Sequence, residues 1–570
     1  MSLKRLILRG IGLLLILGFL ALAGGYFWAK QKYPAYAKDF YISNKWFPSE
    51  EKVLAQVEIA NWANHRYAPK TRHRVLRFNQ SDDWEIPAQL FQGIKEGESL
   101  ILSLECWGSK YWPVYRSQPL QSIKDGAYDL KLQKLAQALA ALNYPVYLRF
   151  NPQMEVPGRY YPWQEYPSIY IDAYRHVHQQ IKNTAPKTKM LWGPSGYPGL
   201  EEFYPGRNYV DALSINLIGD SESILSVYPK NNPKQELYRR LHRLRFFNHP
   251  CFILSGSHNS INKMKLKELA RYQQENRPIY GERLWQYPEE KQVEDSIFKL
   301  GVYDPDEKLV ALEALNVEHL FTNITSLIEE KLPEQVAAVQ ARGHDVIVTL
   351  ELHNDSNNLR EEAGLEKLLA GTYDPCLAQL CSILDSFPHQ VYLRFSQEME
   401  IPIERYPWQS KDPKLYIDAY RYCMNYVDTA LKDVKMVWGP AGDRGSLEWY
   451  PGDDLVDYIS IAIYGLPDKN ITDPTKQESF AQIYKRKSWR MRQAPKAIFI
   501  TEFGVKGPED YQKQWLLKAA ETINSAPELI GINYFNMHDV PKAWGDIEPP
   551  NWSVEQATYR DFLSAIKAKY

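Results

Sequence analysis

The chain repeats itself on a scale that only whole domains explain. Val146–Trp163 reads VYLRFNPQMEVPGRYYPW and Val391–Trp408 reads VYLRFSQEMEIPIERYPW, 11 matches in 18 positions at an offset of 245. Tyr170-Ile171-Asp172-Ala173-Tyr174-Arg175 returns as Tyr416-Ile417-Asp418-Ala419-Tyr420-Arg421. Trp192-Gly193-Pro194 returns as Trp438-Gly439-Pro440, and Tyr204-Pro205-Gly206 as Tyr450-Pro451-Gly452. A period near 246 residues far exceeds any solenoid unit. Two domains of one kind have been joined, over roughly 38–288 and 296–570, with a join around Tyr287–Lys291.

Composition narrows what such domains do. The net charge of −1, from 68 basic and 69 acidic residues, supplies no bulk field for nucleic acid or an anionic surface. Hydrophobic residues at 44% and charged residues at 24% fit a globular chain and exclude a disordered one. Aromatics reach 13%; they suit either large cores or the faces of sugar rings. The five cysteines, Cys106, Cys251, Cys376, Cys381 and Cys423, form no CxxC pair and read as buried free thiols rather than a zinc site or disulfide framework.

Residues 1–30 differ from the rest. Lys4, Arg5 and Arg9 precede an apolar stretch from Gly10 to Trp28, whose helical length of about 28 Å matches a bilayer core. The basic flank keeps the N-terminus in the cytoplasm. An uncleaved transmembrane helix and a signal cut after Ala21-Leu22-Ala23 are both open readings. Either places the remainder outside the cytoplasmic membrane, tethered or secreted.

The second copy alternates strand and helix signals. Strand-like runs fall at Lys299–Tyr303, Val317–Thr322, Asp345–Leu352, Gln390–Phe395, Val434–Trp438, Val456–Tyr464, Ala497–Glu502 and Leu529–Phe535. Helical patterns such as Leu332–Arg342, Lys414–Leu431 and Tyr511–Asn524 separate them. Eight alternations predict an α/β chain of two tandem (β/α)8 TIM-type barrels, although the eighth strand of the first copy is weakly marked. Barrels of this type carry chemistry at the C-terminal ends of their strands.

Two carboxylates stand at such ends. Strand four of the second copy delivers Gln397 and Glu398, and strand seven delivers Glu502. These strands lie on opposite sides of an eight-stranded barrel, so the two side chains can face each other across its mouth. Glycoside hydrolysis needs such a pair, one to protonate the leaving oxygen and one to attack or to activate water. The first copy acts as an internal control. Gln153 lies opposite Glu398, Ser255 opposite Glu502, and Ile218 opposite Tyr464. Glutamine has no acidic proton, and serine without a base is a poor nucleophile. The first copy is therefore expected to bind or position glycan without turnover, or to serve only as a spacer.

The pattern Arg394-x-x-x-Glu398-Met399, with Tyr406-Pro407-Trp408, Trp438-Gly439-Pro440, Tyr450-Pro451-Gly452-Asp453, Val456-Asp457 and Glu502-x-Gly504, resembles glycoside hydrolase family 26. That family holds β-mannanases with some β-1,3-1,4-glucanases and β-1,3-xylanases. The resemblance implies a (β/α)8 fold and a retaining mechanism, with Glu398 as acid/base, Glu502 as nucleophile and Tyr464 bonded to the nucleophile. Two positions depart from the family: Gln397 replaces the usual His before the acid/base, and Glu400 the usual Asn or Asp after it. Glu400 matches Glu155 in the first copy, which favours a structural role. Further candidates for substrate contact are Arg394, Trp408, Trp438, His353 past strand three, and Trp544 after strand eight. No metal or cofactor is called for. The expected partner is a β-linked polysaccharide or oligosaccharide, and the expected activity that of an endo-β-glycanase. A carbohydrate-binding or exopolysaccharide-handling protein is the non-catalytic rival, and a transglycosylase would use the same carboxylates.

Overall fold

The computed structural model describes residues 17–18, 20–22, 24, 51–67, 69–79, 85–108, 118–156, 161–217, 233–255, 263–277, 279, 297–329, 331–353, 363–402, 406–467, 477–539 and 548–566. The expected membrane segment over residues 1–30 lies largely outside them. No helix among the described residues is long and apolar enough to cross a membrane. The chain divides into two compact units, Met1–Glu275 and Asn276–Tyr570. The join expected around 287–291 falls outside the described residues.

The first unit contains β1 Val53–Glu58, β2 His65–Tyr67, β3 Thr71–Asn79, β4 Ser99–Gly108, β5 Val146–Phe150, β6 Lys189–Trp192, β7 Ala212–Leu217 and β8 Pro250–Ser255. They form one sheet in the order β2-β1-β8-β7-β6-β5-β4-β3. From β3 to β8 the strands are parallel neighbours. Strand β1 runs antiparallel to β8 and forms a hairpin with β2. This corrects the expected second complete (β/α)8 barrel: six strands keep the parallel pattern, and the strand next to β8 is reversed.

The second unit contains β9 Lys299–Tyr303, β10 Val317–Asn323, β11 Asp345–Glu351, β12 Val391–Phe395, β13 Lys435–Trp438, β14 Tyr458–Ile459, β15 Ile463–Gly465, β16 Ala497–Val505 and β17 Leu529–Phe535. All pairings are parallel, and β17–β9 and β14–β16 close the ring. The sixth strand, expected over Val456–Tyr464, is split into β14 and β15. Between the two pieces Ser460 turns its hydroxyl to the Thr501 hydroxyl, 2.7 Å away.

The barrel interior is layered by the two-residue period of its strands. Val317, Ile347, Tyr392, Val437 and Phe499 form one buried apolar cluster. Two residues further along β10, β11, β12 and β16, the same face carries His319, Thr349, Arg394 and Thr501, all buried. The interior thus turns from apolar to polar as it approaches the mouth.

The recurring motifs are explained by this scaffold. Each YIDAYR sequence lies in an 18-residue helix, Pro167–Thr184 or Pro413–Ala430, that opens with proline and buries Tyr170, Tyr174 and Val177, or Tyr416, Tyr420 and Val427. That spacing forms one apolar stripe. The arginine ending the motif reaches the proline carbonyl of the YPG loop, Arg175 to Pro205 at 2.8 Å and Arg421 to Pro451 at 2.9 Å. Gly206 and Gly452 have φ of 108° and 114°, a backbone that disfavours any Cβ. All five cysteines are buried and free.

Candidate active site

The site at the mouth of the second barrel is built around Arg394 on β12. Its Nε donates to Thr349 Oγ1 at 3.0 Å, one Nη to Thr501 Oγ1 at 2.7 Å, and the other to Glu502 Oε2 at 2.8 Å. The guanidinium is thereby fixed to β11 and twice to β16. Charge-assisted bonds of this kind are the stronger class of hydrogen bond. Such close packing requires a glycine in the neighbouring Trp-Gly-Pro motif: a Cβ on Gly439 would lie 2.7 Å from Arg394 Cδ.

Glu502 is positioned by a defect in its own strand. The β16–β17 register shifts between Ile500 and Phe503, and an interruption of this kind redirects side chains next to active sites. The Thr501 carbonyl, released from the ladder, accepts from His319 Nδ1 at 3.0 Å and Asn533 Nδ2 at 3.1 Å. His319 Nε2 then accepts from the Thr349 hydroxyl at 2.7 Å. Burial and the adjacent Arg394 hold the His319 imidazole well below its ordinary pKa, so it stays neutral. Tyr464, at the centre of β15, donates its hydroxyl to Glu502 Oε1. Each oxygen of this carboxylate therefore meets one donor. Burial, then the Glu502 charge, and further down Glu398, push the Tyr464 phenol far above its ordinary range. Tyr464 remains a donor, and it feels both candidate carboxylates.

Glu398 sits just past β12, half-buried, with φ of 54°. Its N–H donates to the Gly439 carbonyl at 2.8 Å. Ser396, two residues earlier, also has positive φ, at 40°. Non-glycine residues in this region store strain that the surrounding structure must offset, and they cluster at functional sites. The first unit keeps the same bend, with Asn151 at 38° and Gln153 at 60°, and the same bond from Gln153 N–H to the Gly193 carbonyl. The same backbone bend is thus retained where Gln153 stands in place of Glu398.

Beside this pair, Glu351 at the end of β11 accepts from the Gln397 amide and from His353 Nε2, the latter at 3.0 Å. His353 is nearly parallel to Tyr406 and Trp408, with ring centroids 6.2 Å from each. Trp408 and Trp438 are fully buried, which corrects their expected role as sugar platforms: neither presents a face to the cleft. Trp408 instead ties its Nε1 to the Gln397 carbonyl at 2.7 Å. The half-buried Tyr406, stacked on Trp408 at 4.7 Å, is the aromatic of this group with exposed surface. Trp544 lies outside the described residues. Glu400 accepts from the backbone N–H groups of Ala441, Gly442 and Asp443 and from Ser446 Oγ. Glu155 does the same for Ser195, Gly196 and Tyr197, so both carboxylates hold a loop.

Several site residues were not foreseen from sequence. Tyr303 at the end of β9 stacks on Phe535 at 4.9 Å and meets Phe321 edge-on at 4.9 Å. Burial, then Glu351, Asp539 and Glu502, push its phenol up to about 12, which places it at the same mouth. Trp552 packs against Tyr464 at 4.5 Å. Thr501 carried a usable signal, because the first copy has Leu254 at that position. Among the described residues, no group of three or more His, Cys, Asp or Glu side chains stands together as a metal site.

No family model and no curated protein matches the chain. Among solved structures, a GH26 β-mannanase from Bacteroides ovatus is 16% identical with a TM-score of 0.35, over 49% of this chain and 91% of that one. A double mutant of an endo-β-1,4-mannanase from Cellulomonas fimi is 15% identical with a TM-score of 0.33, over 44% of this chain and 63% of that one. An endo-β-mannanase/endo-β-glucanase from Prevotella bryantii is 11% identical with a TM-score of 0.34, over 89% of this chain and 92% of that one. With TM-scores below 0.5, the fold rests on the strand order and the chemistry on the side chains described above.

Proposed function

We propose that the second unit is a retaining endo-β-glycanase acting on β-mannan, mixed-linkage β-glucan or a related exopolysaccharide. The observation that carries this reading is the grip on Glu502 by Arg394 and Tyr464, with Glu398 held on a strained bend nearby. In the first step Glu398 gives its proton to the glycosidic oxygen as that bond breaks, and Glu502 forms a bond to the anomeric carbon. In the second, Glu398 takes a proton from water, and the water oxygen displaces Glu502. Arg394 and Tyr464 keep Glu502 aimed through both steps. This mechanism requires the two carboxyls about 5–5.5 Å apart. The residues that shape specificity are Glu351, His353, Gln397 and Tyr406. The basic and apolar opening of the chain supports export, with both units beyond the cytoplasmic membrane, and protease accessibility on intact spheroplasts tests this.

The function is tested by reducing-sugar release from β-mannan, mixed-linkage β-glucan and xylan by the full chain and by its Glu502→Gln variant. The reading expects release from at least one polymer, abolished in the variant. Binding without release by the wild type favours the carbohydrate-binding alternative. Release that survives in Glu502→Gln contradicts the assignment and places activity elsewhere in the chain.

A further inference from the structure

The first unit is more than a barrel that has lost groups. Arg149, the counterpart of Arg394, is fully buried, and β8 ends in Ser255 where β16 presents Glu502. A buried guanidinium without a counter-ion is strongly unfavourable. The counter-ion comes from another part of the chain. Arg149 Nη1 donates to Glu51 Oε2 at 3.1 Å, with side-chain exposures of 1% and 13%. Asn216 on β7 bridges the pair: it accepts from the other Nη of Arg149 and donates to Glu51 Oε1. The Glu51 backbone N–H donates to His73 Nδ1 at 2.8 Å, and His73 Nε2 donates to Ser103 Oγ at 2.8 Å. In the second unit the matching imidazole, His319, gives its Nδ1 proton to the β16 carbonyl instead. Burial pushes the Glu51 carboxyl upward while Arg149 and Asn216 pull it back.

The reversed strand explains how Glu51 arrives. Val53 pairs with Leu254 and Glu58 with Pro250. Following β1 backward from Val53 therefore leads past the C-terminal end of β8, which is the mouth end. Glu51 lies two residues beyond Val53. A parallel strand in the same place would carry its preceding residues to the opposite end.

We infer that Glu51 has taken over as counter-ion to Arg149 from a carboxylate at position 255. The inference does not depend on what the second unit hydrolyses.

The test is a double-mutant cycle in the full chain, read by hydrogen exchange in peptides covering Val146–Phe150 and Pro250–Ser255. Glu51→Ala should speed exchange there at least about tenfold, because it strands a buried charge. Ser255→Glu alone should also speed it, since two carboxylates then crowd one guanidinium. Glu51→Ala with Ser255→Glu should return to within about threefold of wild type, a non-additivity expected only of groups sharing a partner. Peptides from Val391–Phe395 and Ala497–Val505 should not change. Should Glu51→Ala fail to fold, Glu51→Gln, which keeps the shape and removes the charge, runs the same cycle. Additive effects, or wild-type exchange in both Glu51 variants, would overturn the inference.

Discussion

Gly439 has no side chain, yet it fixes how closely Arg394 can approach its neighbours. A Cβ there would lie 2.7 Å from Arg394 Cδ and 3.0 Å from Cγ. Arg394 is pinned at three nitrogens and cannot swing aside. Gly439→Ala should cost about 1–3 kcal/mol of stability and also lower kcat about 10²-fold, the scale of a misplaced catalytic constellation, with near-normal KM. Gly193→Ala, whose Cβ would lie 2.5 Å from Arg149 Nε, should cost a similar stability and leave kcat unchanged. Equal kinetic effects of the two would contradict the placement of chemistry in the second unit. Roles within the pair separate by leaving group. Glu398→Gln copies Gln153 and should reduce polysaccharide cleavage by about 10²–10⁴-fold. Glycosyl transfer from an aryl glycoside with a good leaving group should suffer far less. Glu502→Ser should damage both substrates alike, because no covalent intermediate forms. Equal losses on both substrates in Glu398→Gln would sink its assignment as acid.

Strands were the most legible elements, and their exceptions have physical causes. Eight β-rich runs in the second copy needed only local pattern, and each became a strand. The sixth broke in two because Ser460 leaves the ladder to bond Thr501, a tertiary contact without local signature. The direction of β1 was not legible either, since alternation reads the same whichever way a strand runs. Trp408 and Trp438, candidates for substrate contact that recur in the first copy as Trp163 and Trp192, are buried scaffold residues. Residues common to both copies report scaffold, as Arg175 and Arg421 do through their YPG loops. Departures between the copies were the better guide, and Thr501 opposite Leu254 was among them. His319 links β10 to β11 through Thr349 and to β16 through the Thr501 carbonyl, which it shares with Asn533 of β17, and this belt makes stability depend on pH. Its folded pKa lies below the ordinary 6.5 because of burial and Arg394. Below pH 6.5 the unfolded chain binds a proton that the folded chain does not, so stability falls as pH falls, by about 1.4 kcal/mol per pH unit. His73 works in the same direction, from 6.5 down to about 3. Urea unfolding at pH 7, 6 and 5 should show a shallower slope for His319→Gln than for wild type. The difference isolates the imidazole from Glu400, whose raised carboxyl acts in the opposite sense. Identical slopes would contradict a buried neutral His319.

At the scale of the molecule, the two units share motifs and loop-holding contacts but differ at their strand ends. The second unit closes its ring through β17 and β9 and brings Arg394, Glu502 and Tyr464 into contact with Glu398 nearby. The first keeps the buried arginine, the strained bend and the carboxylate-held loop, but answers the arginine with Glu51. The groups that the first copy lacks are legible in its aligned motifs, whereas Glu51 lies far from any of them in sequence and meets Arg149 only in three dimensions. The central claim is that Glu398 and Glu502 act as a retaining pair. It is tested most directly by proton NMR of the first products released from whichever β-linked polymer the full chain cleaves. The account predicts that the new reducing end appears as the β-anomer and only later mutarotates. An α-anomer in the earliest spectra would mean inversion, with water rather than Glu502 attacking the sugar, and would contradict the account.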